Sequence, residues 1–201
     1  SEPLPCHATG MCYRDDKPEA EMLAELLDEA ATYVDAGYTF LKVKVGKNLE
    51  FDKELIAQFR KRFPESKIAA DSNHAYNYKE AIAIGKVLEA NDYCWFEEPL
   101  SPENYADMAR LRKVLSVPIA AGECDQTRYG FERFASARSL DIFQPDIAYC
   151  GDITEFQKIN ALASAAHADV VPQLRRVGRV HGGDAVPEGG TRARARGRCE
   201  R

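Results

Sequence analysis

Asp71, Glu97 and Glu123 each stand at or next to the end of an apolar, β-favouring run, and successive members are 26 residues apart. Carboxylates gathered at the ends of buried strands repel one another unless a cation neutralises them. An all-oxygen donor set with no Cys or His pair beside it suits Mg²⁺, with Mn²⁺ as the alternative. One run earlier, Lys42 and Lys44 flank Val43, and the two-residue period of a strand points both ammonium groups to one side. Lysines that face each other and a metal are depressed in pKa, so one of them could act as a base near neutral pH. Blander readings stand beside these: Lys42 and Lys44 as salt-bridge partners of Glu97 or Glu98, and Glu97-Glu98-Pro99 as a solvated turn.

The spacing extends beyond the three acids. Apolar runs end in polar residues at Lys44, Asp71, Glu97, Glu123, Asp146 and Gln173, at intervals of 23 to 27 residues. Strands are predicted over 5–9, 38–46, 67–73, 93–96, 117–123, 140–146 and 169–173. Apolar steps of three and four residues predict helices between them, over 18–36, 51–63, 79–90, 102–115, 129–138 and 153–167. Gly37 supplies a stop for the first helix, and Ser101 with Pro102 supplies a cap and first position for the fourth.

Seven strands alternating with six helices require a parallel sheet with right-handed crossovers. An open doubly wound sheet would announce itself by a glycine-rich phosphate turn, and neither GxGxxG nor GxxxxGK[ST] occurs. The prediction is therefore an α/β chain of the TIM type, a (β/α) barrel with seven of its eight strands. Such a barrel collects its strand C-termini on one face, with neighbouring strands about 4.8 Å apart, so the three carboxylates converge.

A hydrophobic share of 45% and a charged share of 29% over 201 residues fit one globular core. No apolar run approaches the roughly 20 residues needed to span a bilayer, and residues 1–5 carry no secretory signal pattern. A cytoplasmic protein with no membrane partner is expected. Six cysteines without a CxxC pair read as reduced thiols, and Cys124 in particular as packing beside Glu123. The formal charge of −5 conceals a basic C-terminal stretch: residues 174–201 hold eight Arg and three acids. A basic arm on an acidic body offers nucleic acid no continuing surface, so no nucleic-acid partner is expected.

Lys42-Val43-Lys44, Asp71-Ser72-Asn73, Trp95-Phe96-Glu97-Glu98-Pro99, Gly122-Glu123 and Gln144-Pro145-Asp146 occur in this order and spacing over residues 1–173. As a set they resemble the mandelate racemase and muconate lactonizing branch of the enolase superfamily. That resemblance implies abstraction of a proton α to a carboxylate. It implies Asp71, Glu97 and Glu123 as metal ligands, Lys44 as the base or acid on one face, and Lys42 as its electrostatic partner. Asn73, Glu98 and Gln173 would border a small-molecule carboxylate substrate. Members with a lysine on the sixth strand lactonize or epimerise, and here that strand end reads Pro145-Asp146-Ile147-Ala148-Tyr149-Cys150. Asp146 instead resembles the aspartate of an Asp-His dyad. The implied activity is dehydration of a sugar acid to a 2-keto-3-deoxy acid, a carbon-oxygen lyase reaction, with racemisation of a 2-hydroxy acid as the alternative.

The departure from that pattern lies at the seventh strand, where the dyad histidine would stand and the chain has Gln173, which does not titrate. His74 follows Asn73, and alternation along a strand turns it away from the site, as a loop or supporting residue. From residue 174 the periodicity stops, and the stretch reads as a disordered or frame-shifted tail. The family's eighth strand and N-terminal capping domain are expected to be absent, which would leave sheet edges open and favour a homo-oligomer or an inactive fragment.

Overall fold

The computed structural model describes residues 6–14 and 16–173. The predicted tail over 174–201 lies outside them, as does the start of the first predicted strand. Seven parallel strands follow one another in chain order across a single sheet: β1 (Ala8–Thr9), β2 (Phe40–Lys44), β3 (Lys67–Asp71), β4 (Phe96–Glu97), β5 (Ile119–Ala121), β6 (Ile142–Phe143) and β7 (Asp169–Val170). Six helices separate them: α1 (Glu19–Asp35), α2 (Leu49–Arg62), α3 (Tyr78–Ala90), α4 (Tyr105–Val114), α5 (Thr127–Ala137) and α6 (Asp152–Ala165). This is the strand order of a TIM-type barrel, left open between β1 and β7 among the described residues. No described helix is long and apolar enough to cross a membrane.

Strand alternation divides the chain's apolar residues into two sets. Leu41, Val43, Ile68, Ala70, Phe96, Ile119, Ala121, Phe143 and Val170 all pack in the larger core with the helices, which supply Leu55, Phe59, Ile84, Leu88, Met108, Leu111, Phe131 and Phe134. The alternate positions face the barrel interior. There Ala69, Trp95, Ala120 and Ile142 form a second, smaller cluster, with Phe40 and Val171 against it. His7 closes this layer, its ring 5.8 Å from Trp95 and 5.7 Å from Phe40. Burial and the neighbouring Lys42 charge lower its pKa to about 4, so it stays neutral at ordinary pH. The interior is thus apolar below and charged above, because the alanines leave room for the lysine stems of the next layer.

The predicted elements are all present, and the strands are shorter than expected. One helix start needs correction. The predicted cap Ser101 and first position Pro102 precede the helix by a turn: Ser101 donates its hydroxyl to Glu103 at 2.6 Å, and Asn104 caps α4 by accepting from the Asp107 amide at 3.3 Å. The asparagine wins because its side-chain carbonyl reaches the N3 amide of a helix that starts at Tyr105. Two other helices carry side-chain caps. Asn77 and Glu80 form a reciprocal capping box on α3, and Asn48 accepts from Phe51 at the start of α2.

Gly122 ends β5 with φ at 123°, and a Cβ there would lie 2.7 Å from the buried Phe131 ring. Phe131 has no exposed surface and cannot retreat. Gly122→Ala should destabilise the protein by about 1–3 kcal/mol through overpacking and backbone strain. Urea unfolding followed by circular dichroism checks this; an unchanged midpoint would show that the β5 turn has room to relax.

Candidate functional site

Parallel register brings the polar strand ends together. Lys44 is paired with Asp71, and Asp71 with Glu97, across β2, β3 and β4. Asp71 and Glu97 have no exposed surface, and Glu123, just past β5, is buried as well. Lys42 lies one step deeper, opposite Ala69, and its ammonium reaches up to 2.5 Å from Glu97 Oε1 and 3.4 Å from Asp71 Oδ2. Lys44 Nζ donates to Asp71 Oδ2 at 2.5 Å and to Asn73 Oδ1 at 2.7 Å. The salt-bridge reading is therefore met for Lys42 at Glu97, whereas Lys44 pairs with Asp71 instead of Glu97 or Glu98.

Two donors missed in the sequence complete the setting of Glu97. Trp95 Nε1 and Gln144 Nε2 both donate to Glu97 Oε2, at 3.0 and 2.7 Å. Gln144 was legible only as part of the Gln-Pro-Asp run; a polar residue closing an otherwise apolar strand is the signal that marks it. Burial pushes Glu97 up to about 7, against the pull of Lys42. Burial likewise raises Asp71, but there Lys42 and Lys44 together outweigh it and hold the carboxyl below its ordinary value. Lys42 does not show the depression expected from two facing lysines. Burial pulls it down, while Glu97, Asp71 and Glu123 outweigh burial and hold it above its ordinary value.

Asn73 and His74 leave β3 with positive φ values of 43° and 67°, as does Glu98 at 46° after β4. These turns bring the predicted substrate-facing Asn73 to Lys44 and carry His74 to Glu98, whose Oε2 lies 2.9 Å from His74 Nε2. The Glu98 carboxylate holds His74 above its ordinary pKa. His74 is thus placed beside Glu98, a partner that strand alternation alone could not specify.

Asp146 and Gln173 form a parallel bridge between the ends of β6 and β7, so these two predicted site residues are neighbours. Asp146 is buried and accepts from the Ala148 amide at 2.9 Å. Gln173 Nε2 is buried without a hydrogen-bond partner among the described residues.

Asp71, Glu97 and Glu123 are buried and offer only oxygen donors, the kind a hard divalent cation takes; in this structure Lys42 and Lys44 sit on the oxygens of Asp71 and Glu97, and the three carboxylates are not a group whose ligand atoms all gather within 4.8 Å among the described residues. Without such a cation the cluster depends on Lys42. Lys42→Met should cost about 3–5 kcal/mol of stability at about pH 8, because it leaves Glu97 buried opposite no cation. Burial raises the folded-state value of Glu97 above that of the unfolded chain, so its contribution is full below about 4.5 and lost as the pH rises through about 7. The variant's deficit should therefore shrink on acidification as Glu97 takes up a proton. Urea unfolding of both proteins at the two ends of that range measures it; a deficit independent of pH would deny Lys42 this role.

Comparison with known proteins agrees with the fold. The family model for the enolase C-terminal domain-like fold matches residues 25–182. Arabinonate dehydratase of Saccharolobus solfataricus is 36% identical over 183 residues, which cover 87% of this chain and 48% of the relative. The crystal structure of the 3,6-anhydro-D-galactonate cycloisomerase from Zobellia galactanivorans superposes with a TM-score of 0.79 at 40% identity, over 86% of this chain and 47% of the other. An L-talarate/galactarate dehydratase variant liganded with Mg and L-glucarate superposes with a TM-score of 0.77 at 26% identity, over 85% of this chain and 42% of the other. The chain spans about half the length of the curated relatives it matches. With the family model covering most of its length, the chain belongs to the enolase C-terminal domain-like family.

Proposed function

We propose that this chain carries the catalytic strand ends of an acid-sugar lyase, in which Lys44 removes the proton α to a carboxylate and the oxygen on the next carbon is expelled. The observation that carries the reading is the contact of Lys44 Nζ with both Asp71 and Asn73, at 2.5 and 2.7 Å, on the rim of a buried carboxylate cluster. Lys44 is the more exposed of the two lysines, with 22% of its side chain accessible against 4% for Lys42, so it alone can meet a substrate. Asp71, Glu97 and Glu123 would hold Mg²⁺, which would supply positive charge for the substrate carboxylate and for the negative charge that grows on it as the proton leaves.

The chain's own residues then divide the work. Lys44 in its neutral form takes the α proton. Lys42, fixed by Glu97 and Asp71, adds a buried positive charge beside the substrate carboxylate. Asn73 orients Lys44 through its side-chain carbonyl, and Glu98 and Gln173 border the substrate. The carbon-hydrogen bond breaks, its electron pair forms the new double bond, and the carbon-oxygen bond on the next carbon breaks. Lys44 can return its proton to the departing oxygen, giving water and an enol that tautomerises to the 2-keto-3-deoxy acid. Where the departing oxygen belongs to a ring, the same steps open it, which accords with the cycloisomerase among the similar proteins.

Elimination is favoured over racemisation because racemisation needs a titrating group on each face. At the end of β7, bridged through the backbone to Asp146, stands Gln173, which does not titrate, and the Asp146 carboxylate is turned to its own loop, where it accepts from the Ala148 amide. A panel of aldonic and aldaric acids, incubated with Mg²⁺ in D₂O and followed by proton NMR, tests the assignment. Loss of the α-proton signal together with a 2-keto-3-deoxy product is expected, reduced roughly 10²–10⁴-fold in Lys44→Ala. Product formed equally by Lys44→Ala would overturn the assignment of the base. Inversion at the α carbon without elimination would replace the lyase by a racemase.

A further inference from the structure

We propose that His74, Glu98 and Cys124 form a second cation site, separate from the all-oxygen cluster and suited to a borderline-soft transition metal such as Zn²⁺. Each residue offers one ligand atom, and the three atoms lie within 4.8 Å of one another. They come from three neighbouring strand ends: His74 from the turn after β3, Glu98 from the end of β4, and Cys124 from the residue after Glu123. The backbone fixes this approach, since the His74 amide donates to the Glu98 carbonyl at 2.9 Å.

The second observation is that Glu98 is unsatisfied where it is most buried. Only 1% of the residue is exposed, yet its Oε1 has no hydrogen-bond partner among the described residues. Its Oε2 lies 2.9 Å from His74 Nε2 and accepts from Asn73 Nδ2 at 3.4 Å, so the unused oxygen is the one left for an ion. A buried carboxylate with an unused oxygen is costly unless a positive charge faces it. Imidazole nitrogen, thiolate sulfur and carboxylate oxygen together select Zn²⁺ or Co²⁺ over Mg²⁺, and three protein ligands leave a fourth position open. Cys124 is exposed, which gives the ion a way in.

The consequence goes beyond the lyase reading. Glu98 follows Glu97 directly, and Cys124 follows Glu123, so an ion on the outer pair fixes the backbone that carries two of the three acids of the inner cluster.

The test titrates Co²⁺ into the metal-free full chain with Mg²⁺ in excess, so that the all-oxygen site does not compete. A thiolate-to-cobalt charge-transfer band in the near ultraviolet, saturating at one equivalent, is expected. Cys124→Ser should abolish it, and His74→Gln and Glu98→Gln should weaken Co²⁺ binding by about tenfold or more. Asp71→Asn should leave the band in place, which separates this site from the inner one. As a second measurement on the unaltered chain, Zn²⁺ should protect Cys124 from alkylation, read by peptide mass mapping. No band, a band that persists in Cys124→Ser, or unprotected alkylation would each overturn the proposal.

Discussion

The structure depends on keeping two fully buried carboxylates, Asp71 and Glu97, in the company of positive charge. An isolated carboxylate in a low-dielectric interior is unstable by several kcal/mol, and two side by side are worse. Lys42 answers both at once, with its ammonium 2.5 Å from one and 3.4 Å from the other. Its neighbours follow from that choice. Ala69, opposite Lys42, and Ala120, opposite Glu97, are small, so the lysine stem can rise through the interior. Trp95 and Gln144 turn their donors onto the Glu97 oxygen that Lys42 does not use. A cluster held this way is poor as a stabilising device, because apolar residues of equal volume would cost less. Its retention in the core of the sheet is better explained by what the charges can bind.

A second tie holds the loops that carry the chemistry. Asp52 in α2 is fully buried and accepts from the Tyr76 hydroxyl at 2.8 Å and from the Lys47 amide at 3.2 Å. Lys47 follows β2 and Lys44, while Tyr76 follows β3 and Asn73. The bond therefore joins the two turns from which Lys44 and Asn73 reach each other. Burial raises Asp52 above its ordinary value although Tyr76 and the backbone amides pull it down, and burial raises Tyr76 far more. Neither group is placed to titrate in the reaction. Their contribution is rigidity at the rim, which on the proposed reading would keep Lys44 within reach of a substrate proton.

Much of this was legible in the sequence, for a physical reason. A parallel barrel converts even spacing along the chain into proximity in space, so polar residues at the ends of apolar runs report the site directly. Lys42 and Lys44 were readable as one face because strands alternate, and Asp71 and Glu97 because neighbouring strands end in register. What could not be read depends on turns and side-chain reach. Asn104 displaces Ser101 as the cap of α4 through a bond that spacing does not distinguish. The partnership of His74 with Glu98 requires three residues with positive φ, which no periodicity predicts. His7 enters the interior because Phe40 and Trp95 leave an aromatic slot at its height.

The two faces of the site are unequal, and that inequality bears on the chemistry. On the side of β2 and β3, Lys44 has two polar partners and partial exposure, so it is held yet reachable. On the side of β6 and β7, Asp146 is buried against its own loop, and the residue bridged to it through the backbone is Gln173. On the proposed lyase reading, a planar intermediate between these sides would take a proton from Lys44, while Gln173, which does not titrate, could offer it only a hydrogen bond. Such an intermediate would persist until something leaves from the adjacent carbon, and expulsion of the β oxygen is the step that does not need a second acid opposite Lys44. One-sided proton transfer and elimination are thus mutually consistent, whereas one-sided proton transfer and inversion are not. On the proposed reading the same asymmetry would account for Gln173: its buried amide nitrogen, without a partner among the described residues, would donate to a substrate oxygen and could not take a proton from carbon.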